Sequence, residues 1–365
     1  MSLSLRGLFI ALPIVALVIG AMAWSIYVGS IDDDRANALR ELDIANAAAA
    51  DTLRREISLI AETEEKAVAT MARKLEQRSP TTLGDIFAPA TDGAFHSRDD
   101  LWEGRASAGA IQLRGIGGFL APPQPDDDRR AAILAAFDTL RQMSNGLPSD
   151  VESLYFFSPA NDLLIYAPQR PDELSFYRTA PADFDFQEAE FSRITSPAEN
   201  PAGMLRCTSL QRPLYDETGD NWTTGCMLPI RVDDRHVGAW GISIPLDQFT
   251  KRLTPPPEDA FTIIVSRDGK LIHHSGVAGD DSRRLEANVD LATSEEPLLR
   301  AIWDYVNAGI DDQTVFAQPL DAYVSARELQ APDWYVLTVL PEQALSARAW
   351  SLAQRVILIA LTGAL

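Results

Sequence analysis

Apolar residues run without a charge from Leu8 to Val28, and the pattern then changes to a spaced one. At about 1.5 Å per residue the uncharged run covers the roughly 30 Å core of a bilayer. It predicts a first transmembrane helix within residues 1–30. Ala21-Met22-Ala23 resembles a signal-peptide cleavage site, but the apolar run continues through Trp24, Ile26, Tyr27 and Val28, which favours an uncleaved anchor. No proline or glycine occurs from Ile31 to Ser79, and Leu39, Leu42, Ala49, Leu53, Ile57, Ile60, Ala67, Met71 and Leu75 recur at helical spacing. One long helix is predicted over residues 31–78, closed by Ser79-Pro80. A second apolar run, VILIALTGAL, begins at Val356 and makes only about half a span. Residues 345–365 therefore read as a helix entering a second transmembrane segment that is cut short.

Between these runs the period becomes two. VESLYFF (151–157) and DLLIYA (162–167) flank the turn Ser158-Pro159-Ala160-Asn161 and predict a hairpin. Before it, residues 81–128 read mostly as loop with short elements. Gly115-Ile116-Gly117-Gly118 is too irregular for a dinucleotide fingerprint. A helix is predicted from Asp127 to Met143. After the hairpin comes a loop-rich insertion over 168–203, then strand-like runs at 204–211, 223–232 and 236–246. Pro255-Pro256-Pro257 reads as a stiff linker. The order then repeats. A hairpin spans 261–266 and 270–274 around Arg267-Asp268-Gly269, and a helix covers about 295–306. Strands follow at 313–318, 322–328 and 334–340, and Pro341 opens a last helix. The expected fold class is α+β. A long N-terminal helix precedes two antiparallel-sheet modules of about five strands each, at 79–254 and 255–344, flanked by the two membrane segments.

Composition changes this picture little. The 365-residue chain is 46% hydrophobic and 23% charged, enough for real cores. Its net charge of −20 argues against nucleic acid or an anionic lipid surface as a partner. Arg6 before the first span and Asp32, Asp33 and Asp34 after it place the N-terminus in the cytoplasm. Residues about 29–350 are then periplasmic. Cys207 and Cys226 lie in strand-like segments separated by a turn-rich stretch, so adjacent antiparallel strands would set them opposite each other. A bridge there adds on the order of 3 kcal/mol; the alternative is two unpaired buried thiols.

Catalytic patterns are missing. The chain has no Gly-x-Ser-x-Gly, no His-Glu-x-x-His and no phosphate-cradling glycine loop. No catalytic residue, metal or cofactor is expected. His273 and His274 would point to opposite faces of a strand and cannot share a metal. The acidic groups Asp32 to Asp34 and Asp126 to Asp128 read as helix starts favoured by the helix dipole.

Taken in order, these stretches resemble the double Cache family, the tandem PAS-like extracellular sensor region of bacterial transmembrane receptors. The resemblance rests on LYFFSPANDLLIYAP, on the run from RPLYDETGDNW to VGAWGISIPLDQF, on IIVSRDGKLIHH and on AYVSARELQAPDWYVLTVLPEQAL. It implies a small-molecule pocket in the module at 79–254, between its sheet and the insertion at 168–203. Members that bind amino acids carry an Arg-x-aromatic-Tyr run and a strand aspartate; here Leu174 and Ser243 stand at those positions, which argues against an α-amino acid. Phe176, Tyr177 and Arg178 offer two aromatic walls and a cation. Tyr155, Tyr166, Trp222 and Trp240 are further aromatic candidates, each of which singly reads as a core residue. Arg206 precedes Cys207 and reaches either an anion in the pocket or solvent.

The resemblance implies sensing by a multi-pass receptor of the bacterial inner membrane, a homodimer paired through the helix at 31–78. A cytoplasmic output would follow residue 365. A histidine kinase of the two-component type is favoured, with a diguanylate cyclase or a chemoreceptor next. A membrane-anchored periplasmic hydrolase is the alternative from another class, and it lacks a visible nucleophile and base. An exported scaffold is a third.

Overall fold

The computed structural model describes residues 5–77, 79–108, 111–144, 146–147, 151, 153–169, 175–209, 211–212, 214, 223–245, 251–275, 289–310, 313–330, 333–348, 350 and 354–355. Its organising element is a single helix, α1 (Leu5–Leu75), whose 71 residues extend roughly 105 Å. The predicted helix at 31–78 is thus part of a longer one that continues back through the apolar run at 8–28. Asp32 to Asp34 lie inside it, which corrects their reading as a helix start. Gly29 does not interrupt the helical backbone, and Asp33 projects into solvent. Among the described residues no helix is long and apolar enough to cross a membrane. The second apolar run, 356–365, lies outside the described residues.

Two sheets are strung along this helix. The first collects eight of the described strands before Pro255. In chain order come α2 (Leu83–Ile86), β1 (Phe87–Pro89), β2 (Phe95–Ser97), α3 (Asp99–Glu103), β3 (Ala106–Ala108), β4 (Ile111–Leu113) and β5 (Ile116–Leu120). They are followed by α4 (Asp127–Met143), β6 (Leu154–Phe157), β7 (Asp162–Tyr166), α5 (Ser175–Thr179), α6 (Glu190–Arg193), β8 (Arg206–Cys207), β9 (Thr223–Val232) and β10 (Arg235–Pro245). The sheet runs β1-β2-β5-β7-β6-β10-β9-β8, with β3 and β4 forming a separate ribbon. Eight strands, against about five expected, reflect the reading of 81–128 as loop. That reading is corrected: β5 is buried along its whole length at the centre of the sheet. Its glycines hid it, because glycine lacks strand propensity. Yet a Cβ on Gly118 would stand 2.1 Å from the Leu163 carbonyl oxygen, so the neighbouring strand tolerates no side chain there. Conversely, the strand-like run at 204–211 shortens to Arg206–Cys207.

The second sheet holds β11 (Phe261–Ser266), β12 (Leu271–His274), β13 (Val315–Ala317), β14 (Ala322–Gln330) and β15 (Asp333–Pro341) in the order β12-β11-β15-β14-β13. Between β12 and β13 lies α7 (Pro297–Asn307), with proline in its first turn, where its missing N–H costs nothing. Pro341 ends β15 instead of opening a helix, and helical residues 342–348 follow it.

The apolar stripe of α1 serves both sheets in succession. Ala38 and Leu42 pack on Tyr323 and Leu340, then Ala49, Ala50 and Leu53 on Ile264, Trp334 and Val336. Ile57, Ile60, Ala67 and Met71 continue onto the first sheet, against Ile230, Trp240 and Ile242. A polar clamp fixes the register of α1 on the second sheet. The Asn46 amide donates to the Val336 carbonyl (3.0 Å) and Thr338 Oγ1 (3.2 Å), and Arg327 donates to Asp43 (2.9 Å) and Asn46 (2.7 Å). The outer face of the second sheet is closed by α7 through Leu299, Ile302 and Val306. On the first sheet α4 shares the inner face with α1, and Asp126 caps it by accepting from the Arg129 N–H. Arg129 also grips Asp162 at the head of β7, tying the helix to the hairpin.

Candidate functional site

Alternation on β6 and β7 sends Leu154, Phe156 and Leu164 toward α1 and α4, and Tyr155, Phe157, Leu163 and Ile165 to the opposite face. This opposite, outer face is covered by the insertion at 168–203, and it carries the candidate site. Register across the sheet sets Gly117, Ile165, Tyr155, Gly241, Met227 and Arg206 in one transverse row. The next row is Phe119, Leu163, Phe157 and Ala239. It is sealed by rings from the insertion: Phe157 meets Phe191 at 5.0 Å and Phe186 at 6.1 Å, and Phe119 meets Phe184 at 5.6 Å. These edge-on and tilted contacts make a rigid apolar wall.

The row containing Tyr155 is built differently, because glycines let side chains lie flat on the sheet. A Cβ on Gly241 would sit 2.5 Å from the Tyr155 ring, and one on Gly117 would sit 2.7 Å from Arg178 Cγ. Tyr155 therefore lies across β10, its hydroxyl 3.4 Å from Ser243 Oγ. Arg178, on α5, drapes its stem over β5 and sets its guanidinium 4.6 Å from the centre of the Trp102 ring. Its acidic neighbour is Asp99, at 3.6 Å and largely in solvent, whereas the arginine side chain is only 16% exposed. The Nε of Arg178 is buried and makes no hydrogen bond. A mostly buried cation with an open donor, paired only with a solvated carboxylate at 3.6 Å, can take an anion. Phe176 and Tyr177 flank it on α5; Phe176 meets Tyr177 at 5.6 Å and Phe184 at 5.0 Å, edge-on in both cases. Toward the far edge the surface turns polar: Glu190 accepts from the Ser209 N–H (3.0 Å) and from its hydroxyl.

Of the residues singled out from sequence, Tyr155, Phe176, Tyr177 and Arg178 belong to this side of the sheet. Arg206 ends the Tyr155 row on the edge strand, exposed to solvent. Tyr166 and Trp240 stand on the opposite face and do not join the site. Tyr166 donates to the Ser144 carbonyl at 3.0 Å, and burial raises its pKa. Trp240 is fully buried against Phe156, 5.5 Å away. Counting alternate positions along β7 and β10 accounts for both. Trp222 lies outside the described residues. Cys207 and Cys226, directly opposite on β8 and β9, are joined by a disulfide that packs on the α1 side. Trp102 and Asp99 went unnoticed in the sequence, and Gly117 was read only as part of an irregular glycine cluster. The signal for Gly117 was the apolar company of its glycine cluster, Ile116 and Phe119, which marks a strand approached closely by another group.

The chain is thus an α+β protein of two main antiparallel sheets on one long helix, with the candidate site on the outer face of the first sheet. Solved structures similar to it include the periplasmic sensory domain of the Campylobacter jejuni chemoreceptor Tlp1. That similarity is 12% identity over 83% of this chain and 96% of that one, at a TM-score of 0.46. Another is the sensory domain of the C. jejuni chemoreceptor Tlp3 with isoleucine bound, at 10% identity over 87% and 97% and a TM-score of 0.44. A third is the ligand-binding domain of the Pseudomonas aeruginosa PAO1 amino acid chemoreceptor PctC in complex with GABA, at 17% identity over 60% and 83% and a TM-score of 0.35. No protein-family model and no curated protein matches the chain.

Proposed function

We propose that the chain is the extracytoplasmic sensory part of a membrane receptor of the double Cache type, and that it binds a small organic anion on the outer face of its first sheet. The observation that carries the reading is Arg178: mostly buried, its Nε open, its stem laid on Gly117. Arg231 also has a buried, unpaired Nε, yet it donates both terminal nitrogens to the Asn200 and Pro201 carbonyls. Among the described residues Arg178 has only the solvated Asp99 carboxylate, at 3.6 Å. Ser243, where amino-acid binders place an aspartate, supplies no charge for an ammonium, so the preferred ligand is a carboxylate without an α-amino group. In this reading the run at 8–28 and the segment at 356–365 anchor the chain, and α1 relays the bound state toward the membrane. The output is a histidine kinase or a chemoreceptor signalling domain.

The test is a thermal-shift and calorimetric screen of the full chain against short mono- and dicarboxylates and their amino-substituted counterparts. At least one unsubstituted carboxylate should raise the melting temperature and bind more tightly than its amino analogue. Arg178→Ala should weaken that binding by about 100-fold or more. A panel without a single binder, or binding indifferent to Arg178, contradicts the proposal.

A further inference from the structure

The stretch of α1 that packs on the first sheet buries three polar residues, Thr63, Glu64 and Thr70, and of these Glu64 alone is ionisable. Between Ile60 and Ala67, where the helical period calls for an apolar residue, stands Glu64. It is fully buried, and neither carboxylate oxygen makes a hydrogen bond of normal geometry. Around it Ile57, Ile60, Ala67, Trp240 and Ile242 form one continuous core. The indole Nε1 of Trp240, on the same face of β10, is likewise buried and unpaired. Among the described residues no cation is paired with the acid. On β10, His236 has a buried, unpaired Nδ1, and burial lowers its pKa. Other groups on the packed elements are engaged elsewhere. Glu56 pairs with Arg252 at 2.7 Å. On α4, Asp138 is held by Arg141 at 3.0 Å and by Ser79 at 2.7 Å. Tyr166 on β7 bonds the Ser144 carbonyl, and the disulfide does not titrate. Glu62, Glu65 and Lys66 on α1 itself face solvent.

We propose that Glu64 is a proton-operated latch: with its proton on, α1 seats on the first sheet, and its ionisation drives this stretch of α1 off the sheet. A charged carboxylate in this core would have lost its water and gained no partner. Burial accordingly raises its pKa well above the ordinary carboxylate value, and the approach of the Ile242 backbone offsets this only in part. When the helix lifts, the carboxyl reaches water and releases its proton there; when it reseats, it takes one back. Ile242 shares its strand with Gly241 and Ser243, which face the candidate site on the other side. The latch therefore lies one backbone thickness from the ligand face. It makes external pH a second input to the helix, independent of whether the outer face binds an anion.

The sign follows from linkage. A carboxyl whose folded pKa is raised stabilises the fold fully below its unfolded pKa, and that stabilisation is lost as pH rises toward the folded pKa. The test compares the full chain in detergent micelles with Glu64→Gln and Glu64→Leu. In the wild type, rising pH should shift the folding equilibrium toward the open state by up to about tenfold per pH unit above about pH 5. Amides of residues 57–71 should lose protection in parallel, after correction for intrinsic exchange. Both variants should lose this fall in stability and keep only the opposite rise up to about pH 6.5 that the buried His273, with His236 and His274, contributes. An equal slope in either variant overturns the latch. Infrared spectroscopy of the wild type decides without any variant: a protonated-carboxyl band must persist near neutral pH, and its absence there also overturns the proposal.

Discussion

The two sheets share one helix but close their outer faces in opposite ways. Among the described residues the second sheet is capped by one regular helix, and the aliphatic side chains of α7 meet Val324, Ala326 and Leu337 across it. The first sheet is capped by an irregular insertion that brings aromatic rings, a largely buried guanidinium and close approaches over Gly117 and Gly241. Aliphatic packing on both faces makes a sheet stiff and gives it nothing to recognise with. Glycines and an underused cation hold a face open to a partner at the expense of packing. Under the proposed function, the contrast gives reception to the first sheet and mechanical support to the second, with α1 as the element both touch.

The largest effect that sharpens this division concerns the disulfide. Replacing Cys207 and Cys226 with serine should destabilise the first sheet by about 3 kcal/mol, since the bridge pins a two-residue edge strand across a separation of 19 residues. Hydrogen exchange on β8–β10 should rise while β11–β15 stay protected. A uniform loss over both sheets would instead show that α1 joins them into one cooperative unit.

A smaller effect belongs to the second sheet alone. His273 is buried, and burial, helped by the neighbouring His274, lowers its pKa from 6.5 to about 4. The folded state then binds fewer protons than the unfolded one between these values, so stability is present above pH 6.5 and is lost as pH falls toward 4. His273 should account for roughly 2 kcal/mol of the loss, and His273→Phe should remove that share while leaving the same-signed contributions of His274 and His236, as read from melting temperatures across that range.

The smallest effect tests the clamp. Arg327→Ala removes donors to Asp43 and Asn46, a partly exposed network, and should cost about 1 kcal/mol. Exchange should increase in α1 around residues 43–53, while carboxylate affinity in the calorimetric titration stays the same.

Much of this architecture was legible in the sequence because its strands alternate and its long helix contains no breaker. Asp127–Met143 was legible to the residue, since Asp126 and the apolar period both mark it. β5 was not, because glycine is a poor strand former and only the tertiary approach of Leu163 and Arg178 explains it. The site was half legible. Arg178 and its aromatic neighbours stand together in sequence, whereas Trp102 and Asp99 reach them only through the fold. Tyr166 and Trp240 were attractive as aromatics, but strand parity places them on the helix side. Glu64 stood in plain view as a gap in the α1 stripe, and only burial shows that no cation is paired with it.

The division of labour between the sheets is tested most directly by hydrogen-exchange mass spectrometry of the full chain with and without a carboxylate that passes the calorimetric screen. Protection should rise at residues 99–103 and 175–180, which carry Trp102 and Arg178, and the α7 face of the second sheet should not change. Protection gained on α7 and β13–β14, with the first sheet silent, would contradict the account.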